Sequence, residues 1–245
     1  MDNFNRYKSS SELKALAKEH MFGRYGTAIG AFLIVFMITA FVTFFSTVFI
    51  DTTKVIGIVI NFIITFVISV LAGLFTSGER YFYLKISCGQ PVTVNDVFYG
   101  FQLCPNKAIL IQLFLTICIY VSMIPMTILS YMVTRNPNNA SLMLIYSLTL
   151  ILYGVVTIMI ALVYTQAMYL LHDFPNYSAG ELLAMSRKLM QGSKGRLFYL
   201  MVSFLPLLLL GLLSCGIAYL WLLPYINATM AEFFLDLVKN KQYID

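Results

Sequence analysis

Residues 27–50 read TAIGAFLIVFMITAFVTFFSTVFI and contain no charged side chain. An α-helix rises about 1.5 Å per residue, so about 20 apolar residues cross the roughly 30 Å of hydrocarbon in a bilayer. The apolar residues of this stretch are continuous, whereas the strands of a transmembrane β-barrel alternate apolar and polar side chains. The stretch therefore predicts a membrane-spanning helix.

The rest of the chain has the same character. Of its 245 residues, 60% are hydrophobic and only 11% are charged, whereas soluble domains carry about 25% charged residues. Six membrane spans are predicted, at residues 27–50, 55–76, 107–133, 141–171, 197–213 and 217–238. Only Ser214, Cys215 and Gly216 separate the last two, which we interpret as a tight hairpin because together they are too long for one crossing. The sequence predicts an all-α polytopic membrane protein, with residues 1–245 forming a single membrane domain.

The distribution of Lys and Arg predicts the orientation of these spans. Fourteen of the 16 basic residues fall in the segments on one side of the membrane, and only Lys54 and Arg135 fall on the other. Cytoplasmic loops carry the excess of Lys and Arg, so we expect a multi-pass plasma-membrane protein with both termini in the cytoplasm.

The same basic residues are candidates for binding the bilayer surface. Each attracts anionic headgroups by about 1 kcal/mol when it lies near the membrane. We predict headgroup contacts for Lys14, Lys18, Arg24, Lys107, Arg187, Lys188, Lys194 and Arg196. No nucleic-acid partner is expected, because the charges flank the spans and form no dense basic run.

Three cytoplasmic segments begin with the same short motif, a Ser or Thr followed three residues later by an acid. This capping-box pattern marks the start of a helix, and it occurs as SSSE at 9–12, TVND at 93–96 and SAGE at 178–181. The motifs lie 84 and 85 residues apart, which predicts repeat units 9–92, 93–177 and 178–245. Each unit would be a short amphipathic interfacial helix followed by a transmembrane hairpin.

The amphipathic helices have two possible positions. They either lie in the headgroup plane with the apolar face towards the lipid, or pack on the cytoplasmic ends of the spans. Every unit crosses the membrane twice, so all three have the same orientation. We therefore expect parallel repeats around a pseudo-threefold axis along the membrane normal.

The last third of the chain contains the most specific sequence motifs, which are ELLAMSRKLM at 181–190, KGRLF at 194–198, LPY at 223–225 and NATMA at 227–231. In these motifs the chain resembles an uncharacterised bacterial family of integral membrane proteins, domain-of-unknown-function family 975. The resemblance extends over essentially the whole chain. It implies a multi-span membrane protein and supplies no activity, substrate or catalytic residue.

Ionisable residues near the span ends are the candidate site. Spans two, four and six should end on the same side, which would bring Glu79, Arg80, His172, Asp173 and Glu232 to a similar depth. Such groups suit a proton relay or a hard cation, but their spacing selects neither. The competing interpretation is that they are interfacial groups paired with nearby Lys or Arg.

Other polar and helix-breaking residues within the spans have two interpretations each. Amide side chains there usually hydrogen-bond between helices, which we expect of Asn61, Gln112, Gln166 and Asn227. Prolines in spans mark either simple kinks or broken helices around a substrate site, and these are Pro125, Pro206 and Pro224.

Known catalytic motifs do not occur in the chain. Its two His residues lack zinc spacing, its four Cys form no Cys-x-x-Cys pair, and it has neither a nucleophile elbow nor a phosphate loop. We therefore predict a non-enzymatic protein without metal or cofactor. The Met- and Phe-rich spans and the interfacial helices favour a protein that handles or transports a hydrophobic or amphipathic ligand, such as a lipid. The alternative is a scaffold or accessory subunit with a membrane-protein partner. A membrane-embedded enzyme using Glu79, His172 and Asp173 is the third hypothesis.

Overall fold

A computed structural model describes residues 7–48, 50 and 55–241 of the chain. The turn predicted between the first two spans, with Asp51 and Lys54, lies outside these residues. Every regular element of the described part is helical. The helices are α1 Ser10–Met21, α2 Tyr25–Val48, α3 Val55–Ser87, the 3₁₀ helix η1 Val94–Phe101, α4 Pro105–Arg135, α5 Ala140–Tyr164, α6 Ala167–Asp173, α7 Ala179–Leu189, α8 Lys194–Val202, α9 Leu205–Leu213 and α10 Tyr219–Asn240.

Five helical stretches of the described part are long and apolar enough to cross a membrane. They are Tyr25–Phe45, Ile56–Ser87, Pro105–Arg135, Ala140–Asp173 and Lys194–Leu213. The last helix, α10, is less apolar because its final turns carry Glu232, Asp236 and Lys239. The all-helical fold with these five stretches is compatible with a multi-pass membrane protein.

The chain reverses direction between α9 and α10. Cys215 and Gly216 adopt positive φ angles of 52° and 88°, and the Gly216 amide donates to the Gly211 carbonyl at 3.0 Å. The Tyr219 hydroxyl then donates to the Leu208 carbonyl at 3.0 Å. The Tyr219 ring occupies the space that a Cβ on Gly211 would need, at 2.4 Å. These contacts hold the start of α10 against α9.

Buried side chains concentrate at one end of the helix bundle. This end, which we call the core end, contains α1, η1, α6 and α7, and large side chains such as Tyr83, Tyr169 and Phe233 are fully buried there. Towards the opposite end the long helices expose apolar side chains, including Phe41 (62%) and Ile151 (65%). So much exposed apolar surface is unusual for a soluble monomer, and it is what lipid-facing helices require.

The amphipathic segments turn their apolar faces towards the protein. In α1 the side chains of Leu13, Ala17 and Met21 are at most 2% exposed, and in α7 Leu182 and Leu189 are fully buried. Of the two positions considered from the sequence, packing on the ends of the bundle is the one observed. The middle segment is a 3₁₀ helix rather than an α-helix.

The three capping boxes predicted at 9–12, 93–96 and 178–181 are confirmed. In each, the backbone N–H of the first residue donates to the acid three positions later, at 2.6, 2.7 and 2.7 Å respectively. These bonds satisfy an N–H that the helix itself cannot pair. They fix where each amphipathic segment begins.

The amphipathic segments pack in a cyclic order. The segment η1 packs on α2 and α3, the hairpin before it, and α7 packs on α4, α5 and α6, the hairpin before it. The first segment, α1, closes the cycle by packing mainly on α10, with further contacts to α3 and α8. The segments η1 and α7 thus pack on the long helices that precede them in the chain. The segment α1 packs on the last helix, α10, and so links the beginning of the chain to its end.

Candidate functional site

Arg80 on α3 lies at the centre of a polar contact between three helices. Its Nη1 donates to the Asn227 side-chain oxygen on α10 at 2.9 Å and to the Tyr169 hydroxyl on α6 at 3.2 Å. The guanidinium also lies 5.2 Å from the centre of the Tyr169 ring. Because these bonds join α3, α6 and α10, Arg80 holds the core end together. Its neighbour Glu79 is partly buried.

His172 on α6 is held by the backbone of α3. Its Nε2 lies 2.8 Å from the Ser77 carbonyl oxygen, which can only accept, so Nε2 carries the proton. The rings of Tyr81 and Tyr99 flank the imidazole at centroid distances of 5.3 and 6.3 Å. Nδ1 is buried and has no hydrogen-bond partner among the described residues. His172 therefore docks α6 onto α3.

Glu232 on α10 pairs with a histidine on a different helix. Its carboxylate lies 2.7 Å from His20 Nδ1 on α1, and the Glu232 side chain is 5% exposed. Asp173, at the end of α6, is exposed. The Glu232 contact ties α1 to α10.

Three of the five residues predicted as a candidate site bind different partners. Arg80 binds Asn227 and Tyr169, His172 binds Ser77, and Glu232 binds His20. Within residues 7–48, 50 and 55–241, no three His, Cys, Asp or Glu side chains lie close enough together to hold a metal ion. The contacts observed are those that join helices.

Arg24, at the start of α2, binds the chain where the same hairpin ends. Its Nη1 donates to the Ile86 carbonyl at 3.2 Å and its Nη2 to the Gly89 carbonyl at 3.0 Å. These carbonyls lie at the end of α3, where no further turn supplies donors. Arg24 thus closes the first hairpin at the core end.

The basic residues at the starts of α4 and α8 make the corresponding contact. Lys107 Nζ donates to the Pro175 carbonyl, just after α6, at 2.5 Å. Arg196 Nη2 donates to the Asp236 carboxylate near the end of α10, at 2.7 Å. Three residues predicted to contact headgroups, Arg24, Lys107 and Arg196, therefore bind within the protein.

The other basic residues of that prediction fall into two groups. Lys14 Nζ donates to the Ser203 carbonyl at 2.9 Å, and Lys18 Nζ lies 5.5 Å from the centre of the Tyr225 ring. The side chains of the second group make no hydrogen bond or ion pair with any part of the chain that the structure describes. It consists of Arg187, Lys188 and Lys194.

An apolar groove of about 420 Å³ lies between α5, α8, α9 and α10. Its walls are Ile158, Ala161 and Leu162 from α5 and Thr165 directly after it, with Leu197, Phe198, Met201, Val202, Leu205, Leu208 and Met230 from the last three helices. Thr165 is the one polar side chain in this lining. Phe198, Met201 and Leu205 are each nearly half exposed, so the groove opens sideways from the bundle.

A broken helix forms one wall of this groove. Helix α8 ends at Val202 and α9 begins at Leu205, because Pro206 has no N–H to continue the ladder. At this break the Ser203 carbonyl accepts the bond from Lys14. By contrast, Pro125 and Pro224 lie inside the continuous helices α4 and α10.

The amide side chains within the predicted spans differ in whether they form hydrogen bonds between helices. Asn227 hydrogen-bonds to Arg80 between helices, as predicted. Gln166 is fully buried, and neither its Oε1 nor its Nε2 has a partner among the described residues; Asn61 Oδ1 is likewise unpaired. The sequence does not identify the residues that line the groove, because an apolar residue that faces a cavity cannot be told in sequence from one that faces lipid.

Comparison with known proteins gives one family. The profile described as "Protein of unknown function (DUF975)" matches residues 1–241. No curated protein and no solved structure matches the chain. The match extends over almost all 245 residues, and the chain belongs to this family of proteins of unknown function, DUF975.

Proposed function

We propose that this protein is a non-enzymatic membrane protein that binds an amphipathic ligand of the bilayer, a lipid. The observation that carries the proposal is the apolar groove between α5, α8 and α9. Ligand pockets typically measure about 300–1,000 Å³ and are mostly apolar, and the groove of about 420 Å³ falls in that range. Since it opens sideways, an acyl chain would enter it directly from the surrounding hydrocarbon.

The proposed architecture is six spans arranged as three hairpins around a pseudo-threefold axis. Helix α10 has 22 residues, which at about 1.5 Å each is long enough to cross the hydrocarbon. The cyclic packing of α1, η1 and α7 supports three equivalent units. The repeated contact of Arg24, Lys107 and Arg196 supports them as well.

The proposed orientation places the core end in the cytoplasm of a plasma-membrane protein. The excess of Lys and Arg at this end supports it. Under this orientation α1, η1 and α7 lie on the cytoplasmic side. The groove then opens to the cytoplasmic leaflet, because its lining begins at Leu197, near the start of α8.

A scaffold is the competing function, and it requires no ligand in the bundle. The experiment is native mass spectrometry of the protein released from its membrane in mild detergent. Ala161 lines the groove, so Ala161→Trp fills it. Leu152, on the opposite face of α5, is 61% exposed, and Leu152→Trp adds the same bulk outside the groove.

We expect one retained lipid in the wild type and in Leu152→Trp, and its loss in Ala161→Trp. A wild-type protein that is folded and carries no lipid would contradict the proposal and leave the scaffold. Equal retention by the two tryptophan variants would show that the lipid binds elsewhere, which also contradicts it.

A further inference from the structure

We infer that the groove binds a phospholipid with an anionic headgroup from the cytoplasmic leaflet, and that Lys194 contacts this headgroup. The inference rests on the proposed function, since it names the ligand class of the same groove. It is carried by the length of the groove, the charges at its end and the absence of protein partners for those charges in the described chain.

The groove has the length of one leaflet. Along α8 and α9 its lining runs from Leu197 to Leu208, which is about 16 Å at 1.5 Å per residue. The hydrocarbon core is about 30 Å thick, so this length is about half of it. One acyl chain of a single leaflet therefore fits along the wall.

Lys194 lies at the end of this wall. It precedes Leu197 and Phe198 by three and four residues on the same helix, so it shares their face one turn further out. Its side chain is partly exposed and has no partner in the described part of the chain. A Lys in this position keeps its ammonium at the membrane surface while its methylene stem follows the apolar wall.

Two more cations lie on α7, which ends shortly before α8 begins in the chain. Arg187 and Lys188 are exposed and likewise without protein partners within residues 7–48, 50 and 55–241. The Ser186 hydroxyl donates to the Val163 carbonyl at 2.8 Å. This bond holds the end of α7 against the end of α5, the opposite wall of the groove.

The charges, and not the apolar lining, must select the ligand. Lipid tails are as apolar as Leu side chains, so moving an acyl chain from the bilayer into the groove changes little. Two carboxylates on α7 and α10 are already engaged, since Glu181 caps α7 through Ser178 and Asp236 binds Arg196. Arg187, Lys188 and Lys194 form no ion pair with the described residues, and they are therefore the charges available to an anionic headgroup.

The test uses nanodiscs that contain phosphatidylglycerol and phosphatidylcholine in equal amounts with identical acyl chains. The lipid that remains bound after transfer to detergent is identified by native mass spectrometry. We expect phosphatidylglycerol to be preferred at least about fivefold, the effect of one cation near the surface. Lys194→Gln should lower this preference, and the triple variant Arg187→Gln, Lys188→Gln, Lys194→Gln should bring it to about one.

Arg135→Gln is the control. Arg135 is exposed at the end of α4, 28 residues beyond Lys107 and therefore at the opposite end of that helix from the core end. This variant removes one positive charge far from the α7–α8 connection and should keep the preference. If the wild type retains both lipids equally, or the triple variant keeps its preference, the inference is wrong while lipid binding stands. If neither lipid is retained, the proposed function itself fails.

Discussion

Arg196 Nη2 lies 2.7 Å from Asp236 Oδ2, and this ion pair joins the start of α8 to the end of α10. The Asp236 side chain is only 2% exposed. Its Oδ1 also accepts from the Lys8 backbone N–H at 3.3 Å, and Arg196 donates to the Lys8 carbonyl at 3.0 Å. The pair thus fastens the segment before α1 to the last hairpin.

Asp236→Asn should lower the free energy of unfolding by about 3 kcal/mol, because removing one partner of a buried ion pair leaves the other charge uncompensated. The measurement is thermal or denaturant unfolding of the purified protein in detergent. Asp173→Asn is the control, since Asp173 is exposed, and it should be close to neutral. Equal stability of the two variants would show that the Arg196 contact is not stabilising.

Gly78→Ala should weaken the docking of η1 on α3. A Cβ at Gly78 would lie 1.8 Å from the Val97 carbonyl oxygen, a backbone atom that cannot turn away. We expect a loss of about 1–3 kcal/mol, as for other overpacked contacts. The same unfolding measurement applies. A Cβ at Gly154 in α5 meets no atom within 4 Å, so Gly154→Ala should be neutral or slightly stabilising. If Gly154→Ala lowered the free energy of unfolding more than Gly78→Ala, the packing described would be wrong.

Stability of α7 should depend on pH through Glu181. The hydrogen bond from the Ser178 backbone N–H, with that from its hydroxyl, holds the pKa of Glu181 below its ordinary value. The ionised carboxylate is thereby favoured in the folded state, so its contribution is complete above the ordinary pKa and is lost as pH falls through the lowered one.

Hydrogen–deuterium exchange of the α7 amides tests this dependence. At neutral pH, Glu181→Gln should exchange faster than the wild type, and the difference should vanish as the pH falls through the lowered pKa. Amides of α10 provide the internal reference. A difference that stays constant with pH would rule out the ionised cap.

Two native cysteines test the proposed topology. Cys215 is exposed in the turn before α10, and Cys88 is exposed just after α3. In single-cysteine variants, a membrane-impermeant maleimide should label Cys215 in intact cells and Cys88 only after permeabilisation. Partial desolvation by its surroundings raises the pKa of the Cys88 thiol, so the reaction needs mildly alkaline buffer. Labelling of Cys215 only after permeabilisation would show that the α9–α10 turn does not reach the outer face.

The helices were predictable because their signals are local. An apolar run shows its length in the sequence, and a capping box needs only residues three positions apart, as at 178–181. The break in the helix before Pro206 does not follow from the sequence alone. A proline in a span either kinks or interrupts a helix, and here Lys14, 189 residues away along the chain from Ser203, provides the bond at the break.

The candidate site could not be predicted to the same degree, because it depends on which helices meet. Glu232 had an expected partner among nearby Lys or Arg and instead pairs with His20 of α1, 212 positions away. Arg80 was grouped with other ionisable residues, yet its hydrogen bonds go to Asn227 and Tyr169. Such partners follow from the packing of α1, α6 and α10, which no short-range pattern encodes.

The stretch at 27–50 and those like it determine by themselves that this protein is a set of long apolar helices, because hydrophobicity and length are properties of the chain alone. The tertiary structure decided where α1, η1 and α7 pack, which cations are used inside the protein and which remain free. It also decided that a groove lies between α5 and α8. These outcomes depend on the distances between side chains far apart in sequence, and identical apolar residues become lipid-facing or groove-lining only when the helices assemble.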